Sequence, residues 1–257
     1  MQSLIRVGLT TVVVLAACTG ATRTVPSTEP GSQPAGTAAT SRGPSATIAS
    51  ASETPPSGDG PCDGQRTLPA GRRSITASQT ETPFGVEITF TDGWKGCGLA
   101  FKELGEPGGL MMIGFWDVRM VYPDPCGWSN YVGSRDTAAG IDGLMTALMN
   151  QDLTTAGPIE EVTLDGYKGK YIRLRVPAEV DANRCDRDQI AEFRFWNGPG
   201  ESVWWLAAAD APGLIGEVWA VDVQGFRFVV QAASFEEAGN ARRDEIHEIV
   251  ESIDIQL

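Results

Sequence analysis

The sequence predicts an α+β domain, mostly antiparallel sheet with one helix in mid-chain and one at the C-terminus. Three observations predict it. Phe84, Val86, Ile88 and Phe90 alternate with Gly, Glu and Thr, the period-two pattern of a half-buried strand. Asp165-Gly166 lies between two β-rich runs and supplies the left-handed backbone that a two-residue hairpin needs. Ile141, Leu144, Met145, Leu148 and Met149 recur at helical spacing, as do Ile246, Ile249, Val250 and Ile253 near the end. Sheet runs punctuated by two amphipathic helices read as a layered sandwich.

The N-terminus reads as an export signal, expected over residues 1–17. Arg6 and the α-amine are its basic region, and Val7 to Ala17 is an apolar run too short to cross a bilayer core of roughly 30 Å. Leu15-Ala16-Ala17-Cys18 is a lipobox. In such a motif the cysteine thiol takes a diacylglyceryl group and the signal is cut before it. Two or three acyl chains, at about 0.8 kcal/mol per buried methylene, then anchor the protein stably. The expected location is therefore the extracytoplasmic face of a cell membrane, with the lipid on Cys18. Thr19 to Gly60 is dominated by Ser, Thr, Ala, Pro and Gly. A segment with so little apolar surface cannot offset its ordering entropy, so residues 18–60 are expected to be a lipidated, disordered tether of about 35 Å root-mean-square span. A single domain is expected over residues 61–257.

Within that domain the elements follow in order. After the strand at Phe84–Phe90, strands are expected over Cys97–Glu103 and Leu110–Tyr122, joined through the turn signal Glu106-Pro-Gly-Gly109. Leu110-Met-Met-Ile113 is apolar at consecutive positions, so both faces of that strand need cover. The first helix follows, then the hairpin Ile159–Leu164 and Tyr167–Val176. Strands are further expected over Ala191–Trp196, Ser202–Ala208 and Glu217–Ala232, the last folding back at Gln224-Gly225, and the second helix closes the chain. With Cys18 assigned to lipid, Cys62, Cys97, Cys126 and Cys185 remain, in a compartment that tolerates disulfides. Four cysteines allow three pairings; the expected pairs are Cys62–Cys97 and Cys126–Cys185. Metal binding by these cysteines is not expected, because no close-spaced C-x-x-C pair exists.

Several stretches resemble a group of uncharacterised actinobacterial exported proteins. They are Phe90-Thr-Asp-Gly-Trp94, Gly98-Leu-Ala-Phe101, Phe115-Trp116, Tyr122-Pro-Asp-Pro-Cys126, Leu164-Asp-Gly-Tyr167-Lys-Gly-Lys-Tyr171, Cys185-Asp186 and Ile249-Val-Glu-Ser-Ile253. The order of strands and helices is similar to the PsbP-like α/β/α sandwich of some mycobacterial envelope lipoproteins. What that resemblance implies is a binding or assembly role, since the fold is mostly used that way; none of the shared motifs is catalytic, and fold alone does not fix function.

Charge and motifs exclude several classes. The formal charge of −13 becomes one more negative when Arg6 leaves with the signal. That argues against nucleic acid and anionic headgroups as electrostatic partners. Lys168 and Lys170 share one face of a strand and Arg173 and Arg175 the other, a solvated strand rather than a phosphate site. No G-x-G-x-x-G, Walker loop or G-x-S-x-G elbow appears, so no cofactor is expected. Gly127-Trp-Ser129 begins like an elbow and fails at Tyr131. His247 is the sole histidine; with Glu251 it makes an i, i+4 pair, too few ligands for a metal. From Asp181, Asn183 and Glu192 fall at positions 3 and 12 of a calcium-type loop, but Cys185 and Asp186 occupy positions where that loop needs an oxygen ligand and a glycine. Glu87, Glu103, Glu192 and Glu217 lie on expected strands and are the acids a wall-cleaving enzyme would use; no spacing selects a pair among them.

The aromatic content carries more. Seven tryptophans are present, and Trp204 and Trp205, adjacent on a strand, point to opposite faces. Core filling is the first reading of these side chains. In the second, Trp116, Trp205, Met145 and Met149 line an adaptable apolar pocket between sheet and helix. The expected function is thus a lipid-anchored, non-catalytic envelope domain that binds a partner protein or wall polymer. The alternatives are a carrier or sensor of an apolar small molecule or lipid and, behind it, a wall-acting enzyme. A closed core with packed tryptophans favours the first; an elongated apolar cavity beside Trp116 or Trp205 favours the carrier.

Overall fold

A computed structural model describes residues 66–75, 82–97, 99–105, 109–130, 139–186, 191–198 and 203–257, less the side chains of residues 66, 97, 182, 205 and 207. In chain order the first strands are β1 (Arg66–Thr67), β2 (Gly71–Ile75), β3 (Gly85–Phe90), β4 (Lys95–Cys97), β5 (Leu99–Gly105), β6 (Gly109–Trp116) and β7 (Met120–Val121). Helix α1 (Gly140–Met149) leads into β8 (Thr155–Ala156), β9 (Glu160–Leu164) and β10 (Tyr167–Arg175). Then come β11 (Glu192–Asn197), β12 (Val203–Ala207), β13 (Leu214–Val223), β14 (Phe226–Phe235), α2 (Asn240–Glu251) and β15 (Asp254–Gln256). The fold is α+β with antiparallel pairing throughout the described strands, and its two helices lie mid-chain and at the end, as the sequence predicts.

The main sheet runs β1-β4-β5-β6-β14-β13-β10-β8, with β9 also paired to β10. Its centre is the long hairpin β13–β14, in register from Leu214↔Phe235 to Val223↔Phe226. The turn residues Gln224 and Gly225 have φ of 54° and 87°. Asp165 and Gly166, at 47° and 79°, turn β9 into β10 in the same left-handed way. Period-two alternation sends successive side chains to opposite faces, and each face has its own cover. Met112, Trp116, Ile172, Leu174, Val218 and Val229 meet Leu144, Met145 and Leu148 of α1 together with the small sheet β12-β11-β7. On the other face Met111, Ile113, Phe115, Trp219, Val221 and Phe228 meet Ile246, Ile249 and Val250 of α2 and the small sheet β15-β3-β2. This explains the unbroken apolar run in β6: neither face of the sheet is left to solvent.

Two sequence expectations are corrected. Residues 97–103 are not one strand; Cys97 pairs back onto Leu99, so Lys95–Cys97 and Leu99–Gly105 are separate antiparallel strands. Leu110–Tyr122 is likewise broken. β6 ends at Trp116, and β7 leaves the main sheet to pair with β11. The break at 117–119 is held by Arg227, whose guanidinium donates to the Val118 carbonyl. The short strands β1, β2, β8 and β15 carry no periodic signal long enough to read.

The Cys126–Cys185 disulfide is present, joining the Pro123–Pro125 turn to the acidic loop. Backbone bonds brace it: Asp186 N–H donates to the Cys126 carbonyl at 2.7 Å and Arg194 N–H to the Pro125 carbonyl at 2.9 Å. Cys18, Cys62 and residues 1–60, where the leader and tether are expected, lie outside the described residues. The Cys97 backbone is in β4, but its side chain is outside them as well.

Candidate functional site

An acidic residue in the middle of an apolar central strand marks the site. β13 reads Leu-Ile-Gly-Glu-Val-Trp-Ala-Val, and its Glu217 is 2% exposed. A carboxylate at that depth is costly unless paired and hydrogen-bonded. Alternation places Glu217 on the α2 face of the sheet with Trp219, and Tyr171 of β10 shares that face. The Tyr171 hydroxyl donates to Glu217 Oε1 at 2.5 Å, and His247 Nε2 of α2 lies 2.8 Å from the same oxygen. Glu217 Oε2 is buried with no hydrogen-bond partner. The three rings also pack on one another, with centroids 5.0 Å apart for Tyr171–Trp219 and 5.3 Å for Trp219–His247.

The electrostatics follow from that geometry. Burial alone would push the Glu217 carboxyl up; the hydrogen bonds from His247 and Tyr171 outweigh it and hold the group below its ordinary 4.5. The same bond to Glu217 raises the His247 imidazole above 6.5 against partial burial. Burial, then the Glu217 charge, pushes the Tyr171 phenol up, so it remains a donor. Chemically this is a buried carboxylate that favours the charged form of a half-exposed imidazole.

A second cluster anchors the other flank of α2. Glu245 receives Lys102 Nζ at 2.7 Å and Trp94 Nε1 at 3.3 Å, with further bonds from Thr91 and Arg242. Burial opposes the charge, but these donors hold the carboxyl at about 2.

The residues singled out by sequence are scattered. Trp116 is 2% exposed, its indole N–H donating to Gln231 Oε1 at 3.3 Å, and packs edge-on to Trp196 at 5.8 Å. Met145 is fully buried under α1, whereas Met149, one turn on, is 46% exposed. The Trp205 side chain lies outside the described residues; its backbone pairs with Arg194. Trp116 and Met145 thus share the α1-side core, and Met149 does not join them. A cleft of about 190 Å³ lies elsewhere, lined by Leu153, Pro177, Val180 and Arg184 among others. That is below the usual size of a small-molecule pocket.

The four strand acids also separate. Glu87 pairs with Arg72, Glu103 with Lys95, and buried Glu192 with Arg194, whose guanidinium lies 3.3 Å from the Trp128 ring centroid. Only Glu217 meets His247. Glu251, the partner suggested by helical spacing, acts on His247 merely through its charge. In the would-be calcium loop, Asp181 Oδ1 accepts from the Asn183 backbone and side-chain amides. Among the described residues no group of three His, Cys, Asp or Glu is placed to hold a metal ion, and no helix is long and apolar enough to cross a membrane. A scan against known protein families finds no match for this chain, and a search of curated proteins likewise returns none.

Proposed function

We propose that the protein is a lipid-anchored envelope lipoprotein whose folded domain acts as a non-catalytic binding module for an envelope protein or wall polymer. The observation that carries this reading over the carrier is the use made of the large apolar side chains. Trp116 packs edge-on to Trp196, Trp196 lies tilted against Trp204 and Trp204 stacks on Phe195, at centroid distances of 3.9 to 5.8 Å, and Met145 fills the space beneath α1. A core packed in this way spends its tryptophans on the fold. The lipobox at Cys18 and the Ser/Thr/Pro tether support the anchoring half of the reading.

Two measurements test it. Cys18→Ser should move the protein from the membrane fraction to the soluble one. Native mass spectrometry of the gently purified domain should return the bare polypeptide mass, with its partner then sought by crosslinking on whole cells. A reproducible adduct of a few hundred daltons, lost on denaturation, would overturn the reading in favour of a small-molecule carrier.

A further inference from the structure

The chain contains one histidine, and α2 sets it against the one buried carboxylate of β13. We infer that Glu217 and His247 form a proton-operated latch, in which the imidazolium holds α2 against the sheet and its deprotonation loosens the helix. Three geometric facts carry this. Glu217 Oε1 takes both hydrogen bonds while Oε2 has none, so the carboxylate depends on this side of its surroundings for compensation. His247 bridges two layers, α2 and the main sheet, so any change in the pair acts on helix docking. Its side chain is 40% exposed, so protons reach it without unfolding.

Among the described residues, these charged groups act on the pair. On α2, Asp244 and Glu251 act on His247 through their charges. From β13 comes Glu217. β10 contributes the Tyr171 phenol and Arg173, which pairs in register with Glu217 but has an exposed side chain. β9 contributes Glu160, which acts on Tyr171. The acids outnumber Arg173, so the surroundings favour the imidazolium.

The sign follows from linkage. His247 is raised on folding, so its contribution is complete below 6.5 and disappears as pH rises through the folded value. Glu217 is lowered, so its contribution is complete above 4.5 and is lost as pH falls through its own folded value. The latch is therefore fully closed between those two pH values. Glu245, held at about 2, stays ionised throughout the upper range.

A sole histidine makes the test direct. In tag-free full-length protein labelled with ¹⁵N-histidine, the imidazole gives a single set of signals to titrate. Hydrogen exchange of the Ile246–Val250 amides, expressed as protection factors, reads helix docking in the same sample. The midpoint should lie above 6.5, and protection should fall about tenfold for each pH unit by which it does so. Glu217→Gln should bring the midpoint down, and His247→Gln should abolish the pH dependence of protection. A midpoint at or below 6.5, protection that ignores pH, or an unaltered pH dependence in His247→Gln would each overturn the latch. Should Glu217→Gln not fold, the unmodified protein and His247→Gln still decide the matter.

Discussion

Replacing Cys126 and Cys185 together by alanine should destabilise the domain by about 4–5 kcal/mol. The crosslink spans a sequence separation of 59 residues. In the chain-entropy treatment a loop of that size restricts the unfolded chain by about 4 kcal/mol at 25 °C. Both cysteines are nearly fully buried, at 2% and 4% exposure, so deleting two sulfur atoms adds about 1 kcal/mol of lost packing. The native clip should survive the change. Asp186 still donates to the Cys126 carbonyl position, Ser129 N–H reaches Asp186 Oδ2 at 2.7 Å, and Arg194 remains over Trp128. Urea unfolding followed by tryptophan fluorescence measures the loss, and a melting curve should shift down by roughly 10–15 °C for a domain of this size. The tryptophan bands of the near-UV circular dichroism without urea should be unchanged. A loss under about 1 kcal/mol, or altered native tryptophan bands, would refute the claim that this bridge acts chiefly on the unfolded chain.

Two glycines should fail for different reasons. A Cβ at Gly169 would sit 2.0 Å from the Ala220 carbonyl oxygen, backbone that cannot yield, so Gly169→Ala should cost more than about 3 kcal/mol and prevent soluble expression. At Gly166 the space is open and only φ of 79° is at stake, so Gly166→Ala should cost about 1–2 kcal/mol by the same urea titration. Met145→Ala should lose about 2–5 kcal/mol while Met149→Ala stays within about 0.5 kcal/mol; equal losses would contradict the orientation of α1. Glu245, held at about 2 when folded against 4.5 ordinarily, contributes stability that is present above 4.5 and lost as pH falls through 2. Glu245→Gln should therefore flatten the acid limb of a stability–pH curve by about 1–2 kcal/mol, after allowance for solvent screening, and leave the slope above pH 6 alone.

Local patterns were legible wherever one short stretch carries both pattern and cause. The Asp165-Gly166 and Gln224-Gly225 turns follow from left-handed tolerance, α1 and α2 from their apolar stripes, and the need to cover both faces of β6 from four consecutive apolar residues. Met149 shows the edge of that logic. It sits on the same helical stripe as Met145, yet Leu148 beside it is fully buried while Met149 is 46% exposed, so Met149 falls on the outer edge of the stripe. The candidate site was half visible. Glu217 stood out as a strand acid and His247 as a sole histidine, but helical spacing pointed His247 at Glu251. The stronger signal was the charge itself: one acid inside an eight-residue apolar run has to find a partner, and Tyr171, on the matching parity of β10, was within reach.

From sequence alone came the α+β class, the two helices and the hairpins, because each rests on residues close in the chain, and the Cys126–Cys185 pair as an expectation; the lipid anchor at Cys18 and the tether stand as sequence expectations only. Tertiary structure alone decided which face each strand shows to which helix, where Leu110–Tyr122 breaks to start a second sheet, and that His247 meets Glu217. Those outcomes depend on strand order. Registers and layer contacts join residues 30 to more than 100 positions apart, and period-two alternation says only that there are two faces, not what covers each one.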